Sequence, residues 1–144
     1  MIVFDASLAV KWYLAEAQSN DARMAFEKDA GNIVAPDIMQ AEVIGAMVRR
    51  ANINKAERAA SEASIAKFLS LISEGFVTVR LTSTTQMAHA AALAIDLGHP
   101  LKDCIYLALA MELGCDMITA DARFAEKAKG VWAGVKLLGV TGCS

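Results

Sequence analysis

Short apolar runs alternating with longer helical stretches predict an α/β fold for this chain of 144 residues, a parallel sheet of four to five strands with helices on both faces. Three observations carry that expectation. The runs at 1–4, 33–35 and 117–119 are nearly free of polar residues, as strands covered on both faces must be. Residues 76–81 contain Phe-Val-Thr-Val, the most strand-like composition in the sequence. Between these runs lie stretches with helix start and stop signals.

In chain order, strand 1–4 leads into a helix over about 7–14 and another over about 19–30, stopped by Gly31. After strand 33–35, Pro36 and Asp37 open a helix through Arg50, because proline is tolerated in a first turn and an acid there suits the helix dipole. A long helix follows over about 54–73 and ends before Gly75. Strand 76–81 comes next, and Ser83 then caps a helix that runs through the alanine-rich stretch 87–97 to Gly98. Pro100 opens the helix carrying Asp103, strand 117–119 follows, then a helix over 122–129 and a last strand over 135–138.

Composition bounds the classes. A content of 56% hydrophobic and 21% charged residues, with Gly 9 and Pro 2, describes a compact chain, and its length fits a single domain over 1–144. The formal charge of −2 gives no global basic field for nucleic acid, although local patches remain open. The uncharged stretch 104–111 is far shorter than the roughly 20 residues that cross a bilayer, so no membrane association is expected. Cys104, Cys115 and Cys143 have no ligand-like spacing with His89 or His99, which argues against zinc and for a reduced, cytoplasmic protein.

Four carboxylates stand at the edges of apolar elements. Asp5 closes the first strand, Glu42 is the only charge between Asp37 and Arg49, Asp103 opens a run uncharged until Glu112, and Asp121 ends the run 115–120. Singly, three have structural readings: Asp5 and Asp121 as helix caps, worth roughly 0.5–2 kcal/mol, and Asp103 as a first-turn acid, worth roughly 0.3–1 kcal/mol. Glu42 is mid-helix, so its alternative is a narrow solvated stripe with Gln40 and Arg49. Together the four imply one acidic pocket, since an apolar setting disfavours an ionised carboxylate that nothing compensates. A divalent cation such as Mg²⁺ takes oxygen ligands and neutralises charge on a scissile phosphate, which points to phosphodiester hydrolysis.

Ser7 and Thr119 stand beside Asp5 and Asp121, where their hydroxyls orient those carboxylates or satisfy local backbone. Neither His89 nor His99 has a partner by spacing, so no general base is assigned. Met39, Met47, Met87 and Met111 read as core. Trp12, Tyr13 and Trp132 are candidates for packing or an interface. Arg49, Arg50, Lys55 and Arg58 form the densest basic cluster, a phosphate contact or a solvated helix end.

The four acids stand in motifs: Ile2-Val3-Phe4-Asp5-Ala6-Ser7, Ala35-Pro36-Asp37 through Ala41-Glu42-Val43, Pro100-Leu101-Lys102-Asp103 through Ala110, and Ile118-Thr119-Ala120-Asp121-Ala122-Arg123-Phe124. Through these the chain resembles PIN-domain ribonucleases, and among them the VapC-type toxins of bacterial toxin–antitoxin pairs, over nearly its whole length. The resemblance implies a Rossmann-like sheet and a Mg²⁺- or Mn²⁺-dependent endoribonuclease in which Asp5, Glu42, Asp103 and Asp121 hold the metal. It also implies an RNA substrate and a small antitoxin partner, and together with the apolar surplus it implies a homodimer. Many relatives carry another acid just after the fourth, where Ala122-Arg123 stands here, and this leaves one or two ions open. Two other readings compete: a catalytically silent PIN-fold module that binds RNA or protein, and a haloacid-dehalogenase-type phosphatase, whose second aspartate would fall where Ser7 stands.

Overall fold

The structure, a computed structural model, describes residues 1–139; Cys143 lies outside them. Its centre is strand β1 (Ile2–Phe4), flanked by β2 (Ile33–Pro36) and β4 (Asp116–Thr119), with β3 (Val77–Arg80) and β5 (Val135–Leu137) outside them. The strand order is β3-β2-β1-β4-β5 and every pairing is parallel. Register places Val3 beside Val34 on one side and Met117 on the other. Successive residues of a strand face opposite sides of the sheet, so the burial of Ile33, Val34 and Ala35 alike means that both faces are covered.

The covering helices are α1 (Ala6–Tyr13), α2 (Ser19–Asp29), α3 (Ile38–Ile53), α4 (Arg58–Ser73), α5 (Thr84–Leu97), α6 (Leu101–Leu113) and α7 (Ala122–Ala128). Residues 104–110 of α6 are all buried, and this helix packs against β1, β2 and β4 as well as α5. An apolar helix without a polar stripe is what a central position requires. The start of α5 is fixed by a capping box between Ser83 and Gln86, and its end by Gly98 in the left-handed conformation.

Some boundaries differ from the sequence reading. Pro36 ends β2 instead of opening α3, because its carbonyl side still pairs in register with Arg80, and the Asp37 amide donates to the Arg80 carbonyl at 2.8 Å. The helix expected over 54–73 is interrupted: Asn54 is extended and its side chain accepts from the Ala56 amide, so a short 3₁₀ turn, Lys55–Glu57, precedes α4. Met87 is 39% exposed on α5 and is not core, whereas Met39 and Met47 are fully buried. Trp12 is core as well, and its indole donates to the Ala22 carbonyl at 3.0 Å. No described helix is long and apolar enough to cross a membrane.

The strand order sets the site. The chain builds β1, β2 and β3 outward in one direction, then returns to add β4 on the other side of β1. That reversal opens a crevice beyond the carboxyl ends of β1 and β4, the usual place for a ligand in an open parallel sheet.

Candidate active site

Asp5 is delivered to the crevice by the end of β1. Its amide donates to the Ile118 carbonyl at 3.2 Å, and its side chain caps α1 by accepting from the Ser7 amide at 3.0 Å and from the Ser7 hydroxyl. The Ser7 hydroxyl oxygen also accepts from the Ala120 amide at 3.1 Å, which ties the end of β1 to the end of β4. With 3% of its surface exposed, Asp5 has its pKa pushed up to about 6: burial raises it, the Ser7 and Thr119 hydroxyls oppose that, and the negative charge of Asp103 adds to it. Asp5 therefore caps α1 and lines the crevice at once.

Asp121 behaves in the same way at the next strand. Its carboxylate caps α7 by accepting from the Phe124 amide at 3.0 Å, and its own amide donates to the fully buried Thr119 hydroxyl at 3.1 Å. Ser7 and Thr119 are thus the two hydroxyls that hold the strand ends in place.

Glu42 and Asp103 come from α3 and α6. Tyr106, one turn beyond Asp103 and almost fully buried, donates its hydroxyl to Glu42 at 2.7 Å. Its phenol is held protonated, first by burial, then by the charge and hydrogen bond of Glu42, then by Asp5 and Asp103. One buried hydroxyl feels three of the acids, so these converge. Lys102 lies 3.9 Å from the other Glu42 oxygen, with 60% of its own side chain exposed, and that pair is worth little.

The sequence reading assigned His99 no partner, and here the structure corrects it. Nε2 of His99 lies 2.6 Å from Oδ2 of Asp103, and the ring packs on Phe124 with centroids 4.7 Å apart. The spacing is four residues, but no helix spans it: Gly98 ends α5 and Pro100 precedes α6, so helical periodicity gave no signal. His89 is exposed on α5 and takes no part. Tyr106 was also missed as a polar group, since an aromatic in an apolar helix reads as packing.

All four acids line one cleft of about 930 Å³, together with Ser7, His99, Lys11, Arg49, Arg50 and Lys102. Of the basic cluster read from sequence, Arg49 and Arg50 reach this cleft, whereas Arg58 pairs with Glu62 at 2.8 Å. His99, Asp103 and Asp121 each offer a ligand atom, and these atoms lie within 4.8 Å of one another. Among the described residues no lysine or arginine pairs with Asp5, Asp103 or Asp121. A divalent cation suits such a donor set, since it would supply at these three carboxylates the positive charge that no paired lysine or arginine gives them.

The PIN domain model matches residues 2–130. This chain belongs to the PIN-domain family. No curated protein matches it in sequence. Among solved structures it is similar to a chain of a toxin–antitoxin complex from Klebsiella pneumoniae, with a TM-score of 0.67 and 19% identity over 94% of this chain and 96% of that one. It is also similar to VapC20 of Mycobacterium tuberculosis, described as a Sarcin-Ricin loop cleaving toxin, with a TM-score of 0.69 and 16% identity over 88% and 94% of the two chains. A third is VapBC2 from Rickettsia felis bound to a DNA fragment from its promoter, with a TM-score of 0.65 and 15% identity over 96% and 99%. At such identities the likeness is one of fold, and the PIN domain is the fold they share.

Proposed function

We propose that this PIN domain is a divalent-metal-dependent endoribonuclease and the toxin of a toxin–antitoxin pair. The observation that carries the reading is the convergence of Asp5, Glu42, Asp103 and Asp121 on one cleft without a cationic side chain to neutralise three of them. The similarity to a Sarcin-Ricin loop cleaving toxin and to toxin–antitoxin complexes supports the substrate class and the partner. Mg²⁺ or Mn²⁺ is the cation these oxygens suit.

When bound, such an ion polarises a phosphoryl oxygen and lowers the pKa of water. The chain's own residues prepare the place. Ser7 fixes the Asp5 carboxylate, Tyr106 holds one oxygen of Glu42 and leaves the other toward the cleft, and Thr119 fixes the backbone that carries Asp121. Arg49 and Arg50 line the same cleft and can hold the phosphates flanking the cut bond. Ser7, which would stand where a phosphatase has its second aspartate, is tied to both Asp5 and Ala120, and this argues against that alternative.

We further read residues 1–144 as a single domain that works as a homodimer in the cytoplasm. A second groove of about 570 Å³, lined by Trp12, Tyr13, Phe26 and Leu71 among others, is apolar enough to take an amphipathic segment of the antitoxin.

RNA cleavage by the purified chain tests the enzymatic reading. Cutting is expected with Mg²⁺ or Mn²⁺, none in EDTA, and at least a 100-fold loss in Asp103→Asn. Cleavage that persists in EDTA would overturn it, and a folded, cation-loaded chain that binds RNA without cutting it would favour the silent module.

A further inference from the structure

The histidine at the cleft carries the metal-dependent reading one step further and rests on it. We propose that His99 is a nitrogen ligand of the cation held by Asp103 and Asp121, and that its imidazole makes this position favour a first-row transition ion such as Mn²⁺ over Mg²⁺.

Geometry places the donors. Their ligand atoms lie within 4.8 Å of one another, and Nε2 of His99 is 2.6 Å from Oδ2 of Asp103. An octahedral ion with bonds of about 2.1 Å holds neighbouring donors about 3 Å apart and opposite donors about 4.2 Å apart. The three atoms therefore come around one ion once the His99–Asp103 contact opens by a few tenths of an ångström and the widest spacing, at most 4.8 Å, closes by up to about 0.6 Å. That contact is short because a hydrogen lies between the two atoms. With a cation bound, the shared hydrogen would have left to solvent, so that Nε2 would offer its lone pair and Asp103 an oxygen, with the ring's one remaining hydrogen on Nδ1.

The ring is already held where a ligand has to be. Its side chain is 7% exposed and packs on Phe124, which belongs to the same first turn of α7 that Asp121 caps. On the backbone side, left-handed Gly98 and extended Pro100 fix His99 between them, and the Gly98 carbonyl accepts from Lys127 of α7 at 3.0 Å. One donor of the set thus comes from the α5–α6 connection, one from α6 and one from the start of α7, and little side-chain entropy remains to be lost on binding.

The donor types then decide the ion. The side chains of Ala122 and Arg123, which follow Asp121, offer no oxygen, and the donor grouped with Asp103 and Asp121 is an imidazole. Mg²⁺ prefers oxygen donors throughout, whereas first-row transition ions also accept imidazole, Mn²⁺ the most oxygen-seeking among them.

The test uses the metal-free full chain and its His99→Gln variant. Calorimetric titration with Mn²⁺ alone and Mg²⁺ alone reads affinity, and pulsed electron paramagnetic resonance of the Mn²⁺ form reads ¹⁴N coupling. At least tenfold tighter binding of Mn²⁺ than Mg²⁺ is expected in the wild type, with ¹⁴N coupling; His99→Gln should lose the coupling and most of the preference. Mn²⁺ bound without ¹⁴N coupling in the wild type overturns the assignment even if the variant does not fold. RNA cleavage on the same samples separates the two readings. Cutting by a nitrogen-free centre leaves the nuclease and removes the ligand, whereas a nitrogen-ligated centre that leaves RNA intact keeps the ligand and removes the nuclease.

Discussion

Asp5 has 3% of its surface exposed and a carboxyl pKa raised from 3.8 to about 6, chiefly by burial. An acid whose folded pKa lies above its unfolded one stabilises the fold below the lower value, and that contribution is lost as pH rises through the upper one. Metal-free protein should therefore lose stability between about pH 4 and pH 6, by about 3 kcal/mol at 1.36 kcal/mol per pKa unit. Asp5→Asn should flatten that slope and raise stability at pH 7 while it abolishes cation-dependent cleavage. Urea unfolding in EDTA from pH 4.5 to 7.5 checks this; the same slope in both proteins would mean that the ionised carboxylate is not the source. At this scale the four acids were legible because charges are rare at the ends of apolar runs. The Tyr106–Glu42 hydrogen bond was not, since its partners lie 64 residues apart and nothing in an apolar helix marks a hydroxyl as turned toward an acid.

Elements were legible where local chemistry decides them and not where tertiary pairing does. The Ser83–Gln86 capping box and the stop at Gly98 are sequence signals that the structure follows. Pro36 carries an equally strong local signal for a helix start, yet pairing with β3 keeps it in the strand. Two glycines make the balance measurable. Gly45 lies inside α3 with nothing within 4 Å of a Cβ built on it, so Gly45→Ala should stabilise the metal-free fold by roughly 0.5–1 kcal/mol through helix propensity and unfolded-state entropy. Gly98 has equal space but a φ of +60°, so Gly98→Ala should cost about 1 kcal/mol. Denaturation midpoints of the two variants should move in opposite directions. If both fall, α3 is under a packing constraint that its open space does not reveal.

Across the whole molecule, the feature that makes the site is the strand order, which no local pattern encodes. Because β1 lies between β2 and β4, Asp5 stands beside the end of β4 and close to Asp121, although the two are far apart in sequence. Charge is distributed on the same scale. The chain is net −2, yet Lys11, Arg49, Arg50 and Lys102 line the cleft of the four acids. Lys11 is already engaged by Glu16 at 3.4 Å and the Ala17 carbonyl at 2.8 Å, and Lys102 leans toward Glu42, whereas Arg49 and Arg50 form no ion pair among the described residues. If single-stranded RNA runs along that wall, replacing both arginines with alanine removes two phosphate contacts and releases correspondingly fewer counterions. The slope of log affinity against log salt should then fall by about 1.4, at about 0.7 per contact, while cation affinity stays as in the wild type. Binding of a labelled RNA to the Asp103→Asn chain, which should not cut it, measures the slope across a salt series, with and without the two arginines. An unchanged slope would place the RNA path elsewhere on the surface.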